Sequence, residues 1–200
     1  MKVLLTGFEP FGSETVNPSY EAIRQLPEHI GRAELVTARI PVSFEQSGPV
    51  LKEALAIHRP DIVICVGQAG GYSGIAMERV AINLQDASIP DNCGVQPSEQ
   101  PILPDGPAAY FSSLPVKKLA AALRQNGIPA FVSNSAGTYV CNHLMYTLLH
   151  LIDRDHLPVI GGFIHVPYST RQAAAKTPVP ASMDLAQITR GLALAVETLV

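Results

Sequence analysis

The apolar residues of the chain are concentrated in short runs of strand length, each bounded by Gly, Pro or polar residues. Four such runs lie at Lys2–Thr6, Ile62–Val66, Ile128–Val132 and Val159–Val166. Runs of this kind predict buried strands, and uninterrupted ones such as Ile62–Val66 are typical of strands covered on both faces. A fifth strand is predicted at Ala33–Val42. Together these segments predict a sheet with a buried centre.

Stretches with helical periodicity alternate with these strands. Asn17 is suited to cap a helix whose first position is Pro18, and Gly127 is suited to end another. The predicted helices are Ser19–Leu26, a segment that ends near His58, Val116–Asn126, the segment that begins near Cys141, and a last helix capped by Ser182 or Asp184. This alternation predicts a three-layer α/β/α sandwich with a mostly parallel, twisted core sheet, formed by residues 1–200 as a single domain.

Three segments depart from this pattern. Side chains alternate over Ile75–Leu84, which predicts a strand with Glu78 on the same face as apolar residues. Gln85–Pro115 is rich in Pro, Gly, Asp and Asn, and a connection of this length indicates a functional loop or a subunit contact. Tyr168–Ala181 is also predicted to be a loop.

Composition and charge exclude several classes of function. A hydrophobic content of 47% and a charged content of 16% are ordinary for a soluble protein. The net charge of −3 and the absence of a Lys/Arg cluster argue against a nucleic-acid surface, and no apolar run is long enough for a membrane span. Three scattered cysteines predict neither a disulfide framework nor a zinc site, so we expect a cytoplasmic protein without a metal.

A glycine-rich loop, Gly67–Gly74, follows one of the buried strands. Open α/β sheets bind ligands at the carboxyl ends of their strands, so this loop is predicted to approach a ligand closely. Its spacing matches neither the dinucleotide fingerprint nor the P-loop, and no phosphate site is predicted from it. Gln68 supplies an amide that both donates and accepts hydrogen bonds there.

Cys141 lies where a predicted strand gives way to a helix. Unpaired N–H groups and the positive end of the helix dipole at such a position favour a thiolate. The same N–H groups would stabilise an oxyanion after the sulfur attacks a carbonyl. The alternative is a small buried residue without chemistry, which free cysteines often are. Cys65, inside a buried run, and Cys93, inside the long loop, are predicted to have no chemical role.

Two further residues extend this hypothesis. His165 lies near the end of its predicted strand, just before Pro167, and Glu78 lies on an apolar face where a carboxylate needs a partner. A nucleophilic thiol needs a base, and the base needs a third group that fixes its tautomer. There is also an explanation without chemistry: His165 would be a structural histidine, and Glu78 would pair with a distant Lys or Arg. The pattern leaves both explanations open.

Motifs spread over nearly the whole chain occur in the same order in one known family. They are TGFEPFG (Thr6–Gly12), NPS (Asn17–Ser19), GQAGG (Gly67–Gly71), ERVAIN (Glu78–Asn83), IPDN (Ile89–Asn92), GPAAYF (Gly106–Phe111), SAGTYVCNHLMY (Ser135–Tyr146) and GGFIHVPY (Gly161–Tyr168). On these residues the chain resembles pyroglutamyl peptidase I, also called pyrrolidone-carboxylate peptidase. The resemblance implies a single catalytic domain that removes N-terminal pyroglutamyl (5-oxoproline) residues from peptides. It also implies a cytoplasmic homotetramer that needs no cofactor.

The resemblance further implies a role for each of the three residues. Cys141 would be the nucleophile, His165 the general base and later the acid, and Glu78 the group that orients His165. Cys141 would attack the pyroglutamyl carbonyl, His165 would protonate the leaving amine, and water would release the acyl-enzyme.

A pocket for the pyroglutamyl ring is implied in the same way. Aromatic walls and a few hydrogen bonds suit a small, flat, neutral lactam. The implied pocket residues are Phe8, Phe11, Asn17, Gln68, Tyr139 and Val140. The phenylalanines would sandwich the ring, although loop phenylalanines also serve as lids on a core. Proline would be rejected, because it leaves the polar groups of the site unpaired.

The chain departs from the family at two positions. Relatives carry arginine after GQAGG and before IPDN, where this chain has Tyr72 and Ser88. We expect activity to be retained because the three chemical residues are intact. Two other hypotheses remain from the residues: a non-catalytic protein of the same class that binds a small ligand in the glycine loop, and a nucleoside- or phosphate-handling enzyme, which would need a basic site that the sequence lacks.

Overall fold

The computed structural model describes residues 1–200 and is built around a seven-stranded sheet. The strands are β1 Lys2–Phe8, β2 His29–Ile30, β3 Ala33–Ile40, β4 Ile62–Gln68, β5 Ile75–Glu78, β6 Val80–Ile82, β7 Ala109–Phe111, β8 Ala130–Ser133, β9 Ile160–Val166, β10 Tyr168–Ser169 and β11 Ser182–Met183. The helices are α1 Pro18–Ile23, α2 Ser47–His58, α3 Val116–Gln125, α4 Val140–Arg154, α5 Thr170–Ala173 and α6 Leu185–Leu199. No helix combines the length and the apolar character needed to span a bilayer.

The predicted three-layer α/β architecture is confirmed. The strand order is β2-β3-β1-β4-β9-β5-β8. Strand β1 is parallel to β3 and β4, β4 is parallel to β9, and β5 is parallel to β8. Two pairings are antiparallel, β2 with β3 and β5 with β9. Of two apolar clusters, one of 25 residues joins the sheet to α1, α3 and α6, and one of 19 joins it to α2 and α4.

The predicted helix boundaries are close to the observed ones because the caps act as expected. The Asn17 side chain accepts a hydrogen bond from the Ser19 N–H at the start of α1, where Pro18 is the first residue. Gly127 follows α3 with a φ of +75°, a conformation that favours glycine. The Ile128 N–H donates to the Leu123 carbonyl at 3.0 Å, so Ile128 closes α3 instead of starting the next strand.

The prediction of one strand over Ile75–Leu84 is wrong. The chain leaves the main sheet at Arg79, and β6 pairs with β7 in a separate antiparallel ribbon. Within β6, Ala81 is buried while its neighbours are half-buried, which reverses the predicted apolar face. The fully buried amide of Asn142 holds this ribbon on α4, since it bonds the Ile82 N–H at 3.0 Å and the Ile82 and Leu84 carbonyls at 2.9 Å.

Both predicted long loops contain regular structure. Gln85–Pro115 includes β7 and a bridge between Gln85 and Gln100. Tyr168–Ala181 begins with β10 and α5, and α5 starts with a capping box between Ser169 and Gln172. These elements are two to four residues long and pair with distant segments, so local periodicity does not indicate them. Strand β2 was not predicted because its two residues are too few to show a periodicity, although it pairs with the adjacent β3.

Candidate active site

Cys141 is the second residue of α4, as predicted. No side chain caps this helix, so the N–H groups of its first turn have no side-chain partner. A Cβ on Gly67 would lie 2.9 Å from the Cys141 sulfur and 2.7 Å from the Phe163 ring, so glycine is required where β4 passes the thiol. Cys141 is partly exposed, whereas Cys65 is buried and burial raises its pKa to about 12.

His165 and Glu78 are brought together by the antiparallel pairing of β5 and β9. Ala76 lies opposite His165 and Glu78 lies opposite Phe163, so Glu78 is the diagonal neighbour of His165 on one face of the sheet. The His165 Nδ1 and the Glu78 Oε1 are 2.8 Å apart, and the two side chains are 7% and 0% exposed. Because Nδ1 is engaged by the carboxylate, Nε2 is the ring nitrogen left for another partner.

The protonation of His165 follows from its neighbours. Burial lowers the pKa of His165, but the charge of Cys141 and hydrogen bonds to Cys141 and Glu78 raise it, with a net value of about 9. The ring therefore carries a proton at neutral pH, held between a carboxylate and a sulfur. The three residues predicted from the sequence therefore lie together. Glu78 is hydrogen-bonded to His165, and His165 interacts with Cys141.

A narrow slot of about 30 Å³ opens beside the sulfur. It is lined by Phe8, Phe11, Asn17, Val42, Gln68, Tyr139, Val140 and Cys141, which include every residue implied for the ring pocket. Phe8 is 2% exposed and contacts the apolar cluster through Phe163, so it is both a core residue and a wall of the slot. Phe11 is half-buried with its ring centre 6.3 Å from that of Tyr139. The lining contains no Asp, Glu, Lys or Arg.

The walls of the slot are held by hydrogen bonds between distant loops. The Glu9 carboxylate accepts from the Val42 N–H at 3.1 Å and from the Asn92 amide at 2.8 Å. The Tyr139 hydroxyl donates to the Pro90 carbonyl at 3.0 Å. Asn17 donates to the Glu9 carbonyl at 2.9 Å, in addition to capping α1. The IPDN segment of the long loop therefore supports the aromatic walls.

Comparison with known proteins connects this geometry to one family. The family model described as Pyroglutamyl peptidase matches residues 1–200. The pyrrolidone-carboxylate peptidase of Bacillus licheniformis is 54% identical over 195 residues, covering 97% of this chain and 90% of that protein. The protein of the same name from Thermosipho africanus is 52% identical over 199 residues, covering 100% of this chain and 97% of that protein. This chain belongs to the pyroglutamyl peptidase family.

Solved structures of family members have the same fold. Pyroglutamyl peptidase I of Bacillus amyloliquefaciens superposes with a TM-score of 0.95 at 51% identity, covering 98% of this chain and 95% of that chain. A mutant pyrrolidone carboxyl peptidase of the hyperthermophile Pyrococcus furiosus superposes with a TM-score of 0.96 at 44% identity. The match covers 99% of this chain and 97% of that chain. The family consists of cysteine-type peptidases, and the resemblance drawn from the motifs is confirmed.

In this pyroglutamyl peptidase one polar residue behind the slot was not predicted. The buried Gln172 accepts through Oε1 from the Ser169 N–H at 3.0 Å, so its Nε2 must be the end that donates. That nitrogen donates to the Val16 carbonyl at 3.2 Å, to Glu14 Oε2 at 3.1 Å and to Gln68 Oε1 at 2.9 Å. Because its Oε1 is engaged, Nε2 is the end of the slot-lining Gln68 amide that is left to donate. Gln172 lies in a segment predicted to be a loop, and the sequence carries no signal for this contact.

Two wider clefts of the enzyme lack a thiol–imidazole pair. One of about 480 Å³ lies between α2 and the end of α4, near Arg59 and Asp155. The other, of about 510 Å³, is lined by His143 and His150 among others. Burial lowers the pKa of His143 to about 4, so His143 is uncharged at neutral pH. No group of three or more His, Cys, Asp or Glu side chains is placed to hold a metal ion.

Proposed function

We propose that this enzyme removes N-terminal pyroglutamyl residues from peptides with Cys141 as nucleophile, His165 as acid and base, and Glu78 as the group that orients His165. Residues 1–200 form the catalytic domain. One observation carries the proposal: a thiol that lines a slot with aromatic walls and no Asp, Glu, Lys or Arg interacts with an imidazole that is hydrogen-bonded to a buried carboxylate. Membership of the family supports the same activity.

In the acylation step the Cys141 sulfur, its proton held by His165, attacks the carbonyl carbon that follows the lactam ring. A C–S bond forms and the carbonyl electrons move to oxygen. N–H groups in the first turn of α4 stabilise this oxyanion by donating hydrogen bonds to it. His165 then gives its Nε2 proton to the leaving amine nitrogen. The C–N bond breaks, and a thioester remains on Cys141.

In the deacylation step water replaces the departed amine. His165, now neutral and held by Glu78 through Nδ1, accepts a proton from this water at Nε2. The hydroxide attacks the thioester carbonyl, the C–S bond breaks, and free pyroglutamate leaves. The sulfur and the protonated His165 are thereby restored for another cycle.

The slot supports a lactam as the bound ring. Pyroglutamate carries no charge on its ring, and no Asp, Glu, Lys or Arg lines the slot. The donor of the slot-lining Gln68 would bond a lactam carbonyl, and Asn17 and the backbone at Val140 supply further polar groups. Proline has no such carbonyl, so these groups would stay unpaired. The slot must widen to admit a five-membered ring, and the half-exposed Phe11 is the wall with room to move.

The decisive experiment is turnover of a pyroglutamyl amide that releases a fluorophore. We expect hydrolysis by the intact chain, inactivation by thiol alkylation, and no hydrolysis by Cys141→Ala. The matched control is Cys93→Ser, since Cys93 is an exposed thiol that does not belong to the slot lining. A well-folded preparation that binds pyroglutamyl compounds without cleaving any would favour the ligand-binding alternative.

We also propose that the enzyme acts as a homotetramer in the cytoplasm. The motif resemblance supports the assembly, and three unpaired cysteines suit a reducing compartment. Light scattering at working concentration tests the assembly, and a monomer throughout would contradict it.

A further inference from the structure

Cys141 borders a second cavity, which adjoins the slot and shares Gln68, Tyr139 and Cys141 with it. This cleft has a volume of about 400 Å³ and is open to solvent. His165 lines the cleft but does not line the slot. The sulfur is therefore shared between two cavities, and the imidazole is reachable from one of them.

This asymmetry separates the two halves of a substrate. The slot beside Cys141 receives the ring whose carbonyl is attacked. The amine that leaves must take its proton from His165, so it must lie in the cavity that the imidazole lines. On the proposed function, the residue after pyroglutamate therefore extends into the cleft.

The floor of the cleft is made of small residues. Ala69, Gly70, Ala136 and Gly137 line it together with Ser135. A Cβ on Gly70 would lie 2.7 Å from the Tyr168 hydroxyl, so a larger residue at this point of the floor would displace the Tyr168 side chain. No Asp, Glu, Lys or Arg belongs to the lining. The floor therefore offers room and no charge partner.

An aromatic wall rises from this floor beside the imidazole. The Tyr72 ring stands edge-on to His165, with ring centres 6.1 Å apart and planes at 87°. Its other side rests against Phe131, at 5.3 Å and 67°. Phe131 is 36% exposed on β8 and is not part of the cleft lining, so it acts as a support for Tyr72.

We propose that this cleft is the leaving-group subsite, and that Tyr72, supported by Phe131, gives it a preference for aromatic and large apolar residues after pyroglutamate. An aromatic side chain gains area and ring–ring contact against Tyr72, whereas an acidic side chain finds no Lys or Arg in the lining, and the His165 ring is already paired with Glu78. The preference rests on the proposed function, and it concerns which pyroglutamyl peptides are cleaved fastest.

The test is a competition among pyroglutamyl-phenylalanine amide, pyroglutamyl-alanine amide and pyroglutamyl-aspartate amide in one reaction, with products separated by chromatography. Relative kcat/KM values from one mixture do not depend on the fraction of active enzyme. We expect the intact enzyme to favour phenylalanine over alanine about 3- to 10-fold, the range of one good aromatic contact. Aspartate should be the slowest of the three.

Variants assign the preference to its residues. Tyr72→Ala should bring the phenylalanine-to-alanine ratio close to one, Tyr72→Phe should keep it, and Phe131→Ala should reduce it partly. The matched control is Phe111→Ala, because Phe111 is 71% exposed on β7 and outside the cleft. That control should leave the ratio unchanged.

Two results would overturn the subsite. One is an unchanged ratio in Tyr72→Ala, and the other is an intact enzyme that prefers aspartate or treats all three alike. Failure to cleave any of the three amides would instead contradict the proposed function, and the subsite with it. Retained cleavage of the alanine amide by Tyr72→Ala reports that this variant is folded.

Discussion

The two cavities that meet at Cys141 are built in different ways. The slot has a volume of about 30 Å³. Hydrogen bonds that Glu9 accepts and that Asn17 and Tyr139 donate hold its walls together. The cleft is about 400 Å³, with a floor of small residues, an aromatic wall at Tyr72 beside His165, and Tyr139 in common with the slot. The slot is narrow and has polar groups at fixed points, whereas the cleft is wider and, apart from that of the shared Tyr139, has none of these ties.

This difference indicates where selectivity resides. A site with buried, pre-oriented polar groups rejects compounds that leave those groups unpaired by large factors, whereas an apolar surface discriminates only modestly. We therefore expect strict selection of the pyroglutamyl ring in the slot and graded preference in the cleft. The variants below separate the shared chemistry, the slot and the surrounding surface.

The largest effect is expected from removing the atom that both cavities share. Cys141→Ala eliminates the nucleophile, and kcat/KM should fall about 10⁴-fold or more. Binding of free pyroglutamate in the slot should survive, because the walls are intact. Calorimetry alongside the fluorophore assay measures both, and residual turnover near the wild-type rate would refute the nucleophile assignment.

The next effect is expected from Glu78→Gln, which leaves both cavities in place. The amide cannot hold the imidazolium as the carboxylate does, and kcat should fall about 10³-fold or more. Burial lowers the pKa of His165 while the charges and bonds of Cys141 and Glu78 raise it, so loss of the Glu78 charge lowers that pKa. The pKa of His165, followed by NMR of its ring protons, should be lower in Glu78→Gln than in the wild type, a change that simple misfolding would not produce.

The same pair makes folding stability depend on pH. The pKa of His165 is raised from 6.5 to about 9 in the folded chain. A histidine of this kind stabilises the fold fully below its unfolded pKa, and the contribution is lost as pH rises through the folded value. The free energy of unfolding should therefore decrease between about pH 6.5 and 9, more in the wild type than in Glu78→Gln. Denaturant titrations at several pH values measure this free energy. The same pH dependence in the wild type and in Glu78→Gln would contradict the prediction.

A smaller effect is expected from Gln172→Leu, which leaves the three chemical residues in place but removes the partner of Gln68 and the capping box of α5. Gln68 loses the partner that engages its Oε1, so KM should rise about 10-fold with a smaller change in kcat. Discrimination between pyroglutamyl and prolyl amides should decrease as well. Gln125→Leu, at an exposed position of α3, is the matched control. An unchanged KM in a folded Gln172→Leu enzyme would show that Gln68 needs no such support.

The smallest effect is expected from Ser88→Arg. Ser88 is exposed and lines neither the slot nor the cleft. Activity should stay within about twofold of wild type, the range of ordinary surface substitutions. A steady-state comparison on one pyroglutamyl amide checks this. A several-fold gain would show that a cation at this position reaches the reacting groups.

The strand and helix pattern predicted most of the fold because it depends on neighbours in sequence. Buried runs such as Ile62–Val66 need no distant information to be recognised, and the caps at Asn17 and Gly127 act within their own turns. Cys141 at the start of α4 was foreseeable in the same way. The short elements β7, β10 and α5 were missed, and β6 was wrongly joined to β5, because partners far along the chain stabilise these elements.

The sequence by itself determined the layered fold, the helix start that carries Cys141, and the motifs that indicate the family. Only the tertiary structure decided the contacts between distant residues. Strand β5 runs antiparallel beside β9, which places Glu78 diagonal to His165, 87 residues away. Gln172 reaches Gln68 across 104 residues, and Tyr72 stands against His165. Strand order and register set these contacts, and both depend on which surfaces pack together once the whole chain has collapsed.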